Sequence, residues 1–126
     1  MNWTLEVVVV PVSDVDRAKS FYADQMGFAV DHDTTVNEDL RIVQLTPPGS
    51  GCSIVVGKGM TTSTPGAYQG LQLVVSDIQA ARRELVGRGV DVGEIRQIDP
   101  RDGGTLMSFQ DPDGNGWVVQ ELKARA

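Results

Sequence analysis

The chain repeats itself. TPPGSG at 46–51 returns as DPDGNG at 111–116, 65 positions later, and Val12-Ser13-Asp14 returns as Val75-Ser76-Asp77 after 63. Behind each Asp lies a stretch of helical character that ends in a glycine. Gly27-Phe28-Ala29-Val30 closes the first and Gly89-Val90-Asp91-Val92 the second, 62 apart. The signals keep their order, so the fold itself is a duplication. In a chain of 126 residues, each half has about 60, near the lower limit for folding alone, and the halves are expected to share a core. Two similar half-sheets placed side by side enclose a cleft, the expected place for a ligand.

Each half reads as βαβββ. Trp3 to Val12 is dense in β-branched residues and lacks glycine, which predicts a buried strand that frays or reaches an edge at Pro11. Ser13 or Asp14 caps a helix from about Val15 to Gln25, with Val15, Ala18, Phe21 and Tyr22 on its apolar stripe and Gly27 as its stop. Strands follow at about Ala29–Thr34, Arg41–Leu45 and Cys52–Gly57, with TPPGSG as the last turn. The second half gives strand Gly70–Val75, helix Ile78–Gly87, and strands Val90–Ile95, Thr105–Gln110 and Trp117–Leu122. The boundaries are about 3–57 for module one, 58–68 for a polar linker and 69–123 for module two, together one domain over 1–126.

Charge and composition exclude several classes. A net charge of −6 argues against nucleic acid and against an anionic membrane as partners. No apolar run approaches the roughly 18 residues of a membrane span. The N-terminus lacks the basic and apolar regions of a signal peptide, and the single cysteine, Cys52, fits a reducing cytoplasm.

PVSDVDRAKSFYADQMGF (11–28), LVVSDIQAARRELVGRG (73–89) and DPDGNGWVVQEL (111–122) together resemble the vicinal oxygen chelate superfamily, which includes glyoxalase I, extradiol dioxygenases and bleomycin-resistance proteins. The resemblance implies an α+β fold in which two paired βαβββ modules form a curved mixed sheet around a central cleft. It also implies a homodimer, with modules pairing either within one chain or between chains.

Metal-using members hold a divalent ion with two residues from each module. One is a His seven residues before the capping Asp, the other a Glu, Gln or His seven after the start of the turn. Carried over, these positions are Val7 and Ser53 in module one and Gly70 and Val118 in module two. None is a strong metal ligand, so no metal and no cofactor is expected. A register slip of three would bring in Glu121. The sole histidine, His32, stands between Asp31 and Asp33. Strand alternation points it away from both, which predicts a solvated surface strand. Cys52 is expected to be buried and inert.

Alternation turns the four positions into a map of the cleft. Val7 brings Val9, Ser53 brings Val55, Gly70 brings Gln72, and Val118 brings Gln120. Gln44 and Phe109 occupy matching places before the two turns and join the set. The result is an apolar floor with Ser53, Gln72 and Gln120 as hydrogen-bonding groups, a composition that suits a small molecule. The glutamines either meet a ligand or pair with each other. Arg41 meets an anion or a surface carboxylate. Trp117 falls on the helix side, and the loops at 34–39 and 58–68 are placed to close over a ligand. No catalytic residue is nominated. The expected function is metal-independent binding of a small, mostly apolar or cationic molecule. The alternative is a metal-dependent lyase, isomerase or dioxygenase with atypical ligands.

Overall fold

The computed structural model describes residues 1–126 and contains two four-stranded mixed sheets. The first holds β1 (Val7–Val9), β2 (Ala29–Asn37), β3 (Leu40–Thr46) and β4 (Ser53–Lys58), in the order β1-β4-β3-β2. The second holds β5 (Leu71–Val75), β6 (Arg96–Gln97), β7 (Thr105–Gln110) and β8 (Gly116–Glu121), in the order β5-β8-β7-β6. In both, the first strand pairs in parallel with the last and the other pairs are antiparallel. Helix α1 (Val15–Ser20) and helix α2 (Ile78–Gly87) follow β1 and β5. The caps are as expected: Asp14 accepts from the Arg17 N–H and Asp77 from the Ala80 N–H, each at 3.0 Å. The fold is α+β. No helix is long and apolar enough to cross a membrane.

Several boundaries differ from expectation. β1 begins only at Val7, because β4, its partner, starts at Ser53, right after the turn. Nothing in the chain pairs with Trp3–Leu5, and Trp3 and Leu5 stand 86% and 73% exposed. α1 gives way to a π-helical turn over Phe21–Gln25. β2 is longer than expected, so residues 34–37 are strand rather than loop. Val90–Ile95 is not a strand. Val90 and Val92 are single buried anchors, and the Arg82 guanidinium takes the Val92 and Gly93 carbonyls that a ladder would need.

One core serves both halves. Val43, Leu45, Ile54 and Val56 of the first sheet join Met107, Phe109, Trp117 and Val119 of the second around Phe21, Tyr22 and Phe28. The Tyr22 ring packs against Trp117 (centroids 5.8 Å apart), and Phe109 stacks on Trp117 at 5.9 Å. Each sheet therefore turns its helix-bearing face inward, toward the other module. By alternation the opposite faces point outward, away from each other. The paired modules are as expected, and within one chain their outward faces point apart.

The DPDGNG turn locks the halves together. Asp111 is buried, and its Oδ2 accepts from the Tyr22 hydroxyl and the Asn115 amide, both at 2.8 Å. Its Oδ1 accepts from the Asp113 and Asn115 backbone N–H groups, both at 2.9 Å. Trp117 Nε1–H donates to Tyr22 Oη at 2.9 Å, and Asn115 Nδ2 also reaches the Pro11 carbonyl at 2.8 Å. Burial, followed by the neighbouring Asp111 carboxylate, pushes the Tyr22 phenol well above its ordinary range and keeps it a donor. The segment 58–68 is tied to the same turn: the Gly66 N–H meets the Pro11 carbonyl, and the Tyr68 N–H meets Asn115 Oδ1 at 3.1 Å. Gly66 has φ +81°, and a Cβ there would sit 2.1 Å from the Asp113 carbonyl oxygen. The segment is a fastened strap, not the flexible lid its composition suggests.

Arg41 meets surface carboxylates: Asp33 through Nε at 3.0 Å and Nη2 at 2.8 Å, and Asp16 at 2.8 Å, with Lys19 on Asp33 from the other side. Hydrogen bonds from Arg41, then from Lys19, hold the Asp33 carboxyl well below the usual range. A depressed folded pKa means the network stabilises above the ordinary carboxylate range and loses that contribution as pH falls. Because these groups are partly exposed, the contribution is within about 1 kcal/mol. Asp33→Asn should lower the urea midpoint at neutral pH, and the gap to wild type should narrow progressively as pH falls below about 4. A gap that widens in acid would contradict the assignment.

Candidate functional site

The outward face of the first sheet is built from two rows. Val9, Val55, Gln44 and His32 are register partners across all four strands. Beside them lie Val7 and Ser53, also partners. Ser53 Oγ is 2.6 Å from Thr46 Oγ1, which donates in turn to Asp31, and Gln44 Nε2 reaches Asp31 Oδ2 at 3.3 Å. The ladder shifts between Val30 and His32, and this bulge swings Asp31 onto the face of Gln44 and His32. The expectation that alternation separates Asp31 from His32 is therefore corrected: both lie outward, while Asp33 faces α1. The face has a valine floor and a polar end made of a carboxylate, an imidazole, two hydroxyls and an amide.

The second sheet presents the equivalent row. Gln72, Val118 and Ser108 are register partners, as are Val74, Gln120 and Leu106. Both sheets use the same offset of 46 between their parallel strands, Val7 against Ser53 and Leu71 against Trp117. Val9, Val55 and Gln44 thus correspond to Gln72, Val118 and Ser108. Gln72 Nε2 donates to Gln120 Oε1 at 2.7 Å, and Gln120 Nε2 donates to the Gly103 carbonyl at 2.9 Å. Of the two open readings for this pair, the structure shows the glutamines bonded to each other, with the Gln72 carbonyl still free on an exposed side chain. Arg96 lies at the rim, opposite Leu106.

Phe109 is a correction. It belongs to the core, stacked on Trp117, and the residue that matches Gln44 is Ser108. The echo of the two turns runs at 65 residues, but the strands before them correspond at 64, and one residue reverses the facing. Gly70 is exposed and lies just before β5, so it adds backbone alone. Within one chain the expected set splits: Val7, Val9, Gln44, Ser53 and Val55 share one outward face, and Gln72, Val118 and Gln120 share another. Sequence reading missed Asp31, Thr46 and Ser108. The bulge has no composition signal, whereas Ser108 was within reach from the alternation of Met107 and Phe109.

The donor set does not fit a divalent ion. Val7, Ser53, Gly70 and Val118 offer one hydroxyl among them. Glu121, the slipped alternative, faces the helix side and accepts from the Ile78 N–H at 2.9 Å, where it satisfies the start of α2. No group of three or more His, Cys, Asp and Glu side chains is arranged to hold a metal. Cys52 is half-buried and carries no base beside it, its Sγ lying 3.7 Å from the Ser53 carbonyl.

Comparisons with known proteins point one way. The model of the Glyoxalase/Bleomycin resistance protein/Dioxygenase superfamily matches residues 4–119. The fold is similar to that of TnmS3, an antibiotic binding protein from Streptomyces sp. CB03234, with a TM-score of 0.82 and 31% identity, covering 96% of this chain and 97% of that one. A glyoxalase/bleomycin resistance protein from the same Streptomyces strain gives a TM-score of 0.79 and 32% identity, covering 94% of this chain and all (100%) of that one. The uncharacterized protein YetH of Bacillus subtilis (strain 168) is 26% identical over 116 residues, 90% of this chain and 94% of its own length.

Proposed function

From the premise that this chain belongs to the Glyoxalase/Bleomycin resistance protein/Dioxygenase superfamily, we propose that it binds a small molecule without a metal, in a site assembled between two copies. The observation that carries this reading is the matched pair of outward rows, Val9–Val55–Gln44–His32 and Gln72–Val118–Ser108. Each is half of a pocket composition, apolar at the centre with a few hydrogen-bonding groups. Neither faces the other within the chain. A two-fold dimer that sets the first sheet of one copy against the second sheet of its partner completes two equivalent sites.

The free edges support that arrangement. β1 and β5 are edge strands, each with one unpaired side. Trp3 and Leu5, just before β1, are exposed and add apolar surface for a partner copy to cover. The proposal keeps residues 1–126 as one domain with modules at about 3–57 and 69–123, and places the protein in the cytoplasm.

The ligand class follows from the face. Valines favour an apolar body, and Asp31 favours a cationic or hydrogen-donating end, in keeping with the net charge of −6. TnmS3 is described as an antibiotic binding protein, which makes cationic and planar antibiotics the first panel to try. Titration calorimetry should find saturable binding at one site per chain, unchanged by a chelator. No binding across the panel, or binding that requires a stoichiometric transition metal, would refute the proposal.

A further inference from the structure

The two modules are alike in chain path but not in how their turns are seated. In one half of the core, Phe21, Tyr22, Phe28, Phe109 and Trp117 fill the space between α1 and the second sheet. Their counterparts by the same duplication are Glu84, Leu85, Val90, Leu45 and Ile54. Every one is smaller or, in the case of Glu84, charged.

The DPDGNG turn is bolted down through Asp111 and Asn115, and Asp113 holds Ser13 and Arg17 at the start of α1. The counterpart turn, TPPGSG, has Thr46, Pro48 and Ser50 where Asp111, Asp113 and Asn115 stand. Thr46 bonds Asp31 and Ser53 on the sheet face, the remaining bonds run locally from Ser50 to Cys52 and Pro47, and none reaches α2. Where the first arrangement has rings and a polar lock, the second leaves a cavity of about 240 Å³.

That cavity is lined by apolar groups. Phe28, Leu73, Val75, Leu85 and Val119 form its walls, with Pro47 and Pro48 along one side. Its charged residues are Glu84 and Arg88, which neutralise each other in an ion pair of 2.8 Å. The pocket is partly open to solvent, and its volume exceeds the roughly 150 Å³ of apolar space that takes up a benzene-sized molecule.

We propose that this cavity is a second binding site, separate from the outward sheet faces, for a small, flat, uncharged aromatic molecule of phenol or indole size. Such a ring would fill the space left because Leu85 stands where the other half has Tyr22. It would lie against Phe28, Leu85 and Val75. A charged ligand is disfavoured, since the Glu84–Arg88 pair leaves no free charge to receive it. The site does not depend on assembly of two copies, and it stands whether or not the sheet faces bind anything.

Indole and phenol serve as probes, followed by methyl NMR of the full chain. Saturable shifts are expected at the methyls of Leu73, Val75, Leu85 and Val119. They should be lost in Ala81→Phe, which fills the cavity from α2, and retained in Ser108→Trp, which blocks a sheet face instead. The proposal is overturned if neither probe produces saturable shifts at these methyls, if the shifts fall on Val9, Val55 and Val118, or if folded Ala81→Phe binds as wild type does. The methyl map of the wild-type chain decides alone if Ala81→Phe does not fold.

Discussion

Asp111→Ala is expected to destabilise the chain by about 3–5 kcal/mol, more than any substitution on its surface. The carboxylate is 5% exposed and accepts four hydrogen bonds. Removing it leaves the Tyr22 hydroxyl, the Asn115 amide and two backbone N–H groups with no water to replace the lost acceptor. Tyr22 also accepts from Trp117, and Asn115 also holds Pro11, so the loss spreads to the turn after α1, the segment after β1 and strand β8 together. Asn at 111 would not rescue it, because its amide would bring one more donor into a cluster of donors. The melting temperature should fall by roughly 10–20 °C. Asp16→Ala, at an exposed carboxylate outside the lock, should change stability by less than about 1 kcal/mol. Equal effects for the two variants would show that the turn does not join the halves.

Gln44→Trp and Ser108→Trp should each lower affinity for a small-molecule ligand by at least about 100-fold, or about 2.7 kcal/mol. Both positions lie on central strands and both face outward, Gln44 half-buried and Ser108 exposed. An indole at either place fills the volume over Val55 or Val118 without entering the shared core, so the melting temperature should hold. Gln44 gives up only a long hydrogen bond of 3.3 Å to Asp31. If the variants stay folded and bind as before, the ligand sits elsewhere.

Much of the fold was legible because its signals are local. Asp14 and Asp77 announce the two helix starts, and α2 runs over the expected Ile78–Gly87. Val7 and Ser53, which the family resemblance puts at matching positions of one module, are register partners. The failures have physical causes of three kinds. The β2 bulge at Asp31 comes from how two strands fit together, and neighbouring residues do not encode it. Trp3–Leu5 has strand composition but no partner strand within the chain, and propensity alone does not make a strand. The third is the orientation of the modules, which sequence leaves open. A duplication implies two half-sheets but leaves open which faces meet. That choice was made by Tyr22, Asp111 and Trp117, whose contacts span 89 and 95 residues of chain.

A mixing titration tests the two-copy site most directly. Gln44→Trp blocks the first-sheet face of every copy, and Ser108→Trp blocks the second-sheet face. When the two are mixed equally and allowed to exchange, each mixed dimer contains one site with both blocks and one with neither. About a quarter of the wild-type sites should return, at wild-type affinity. No recovery, with mixed dimers shown to be present by native mass spectrometry, would mean that each chain carries its whole site alone.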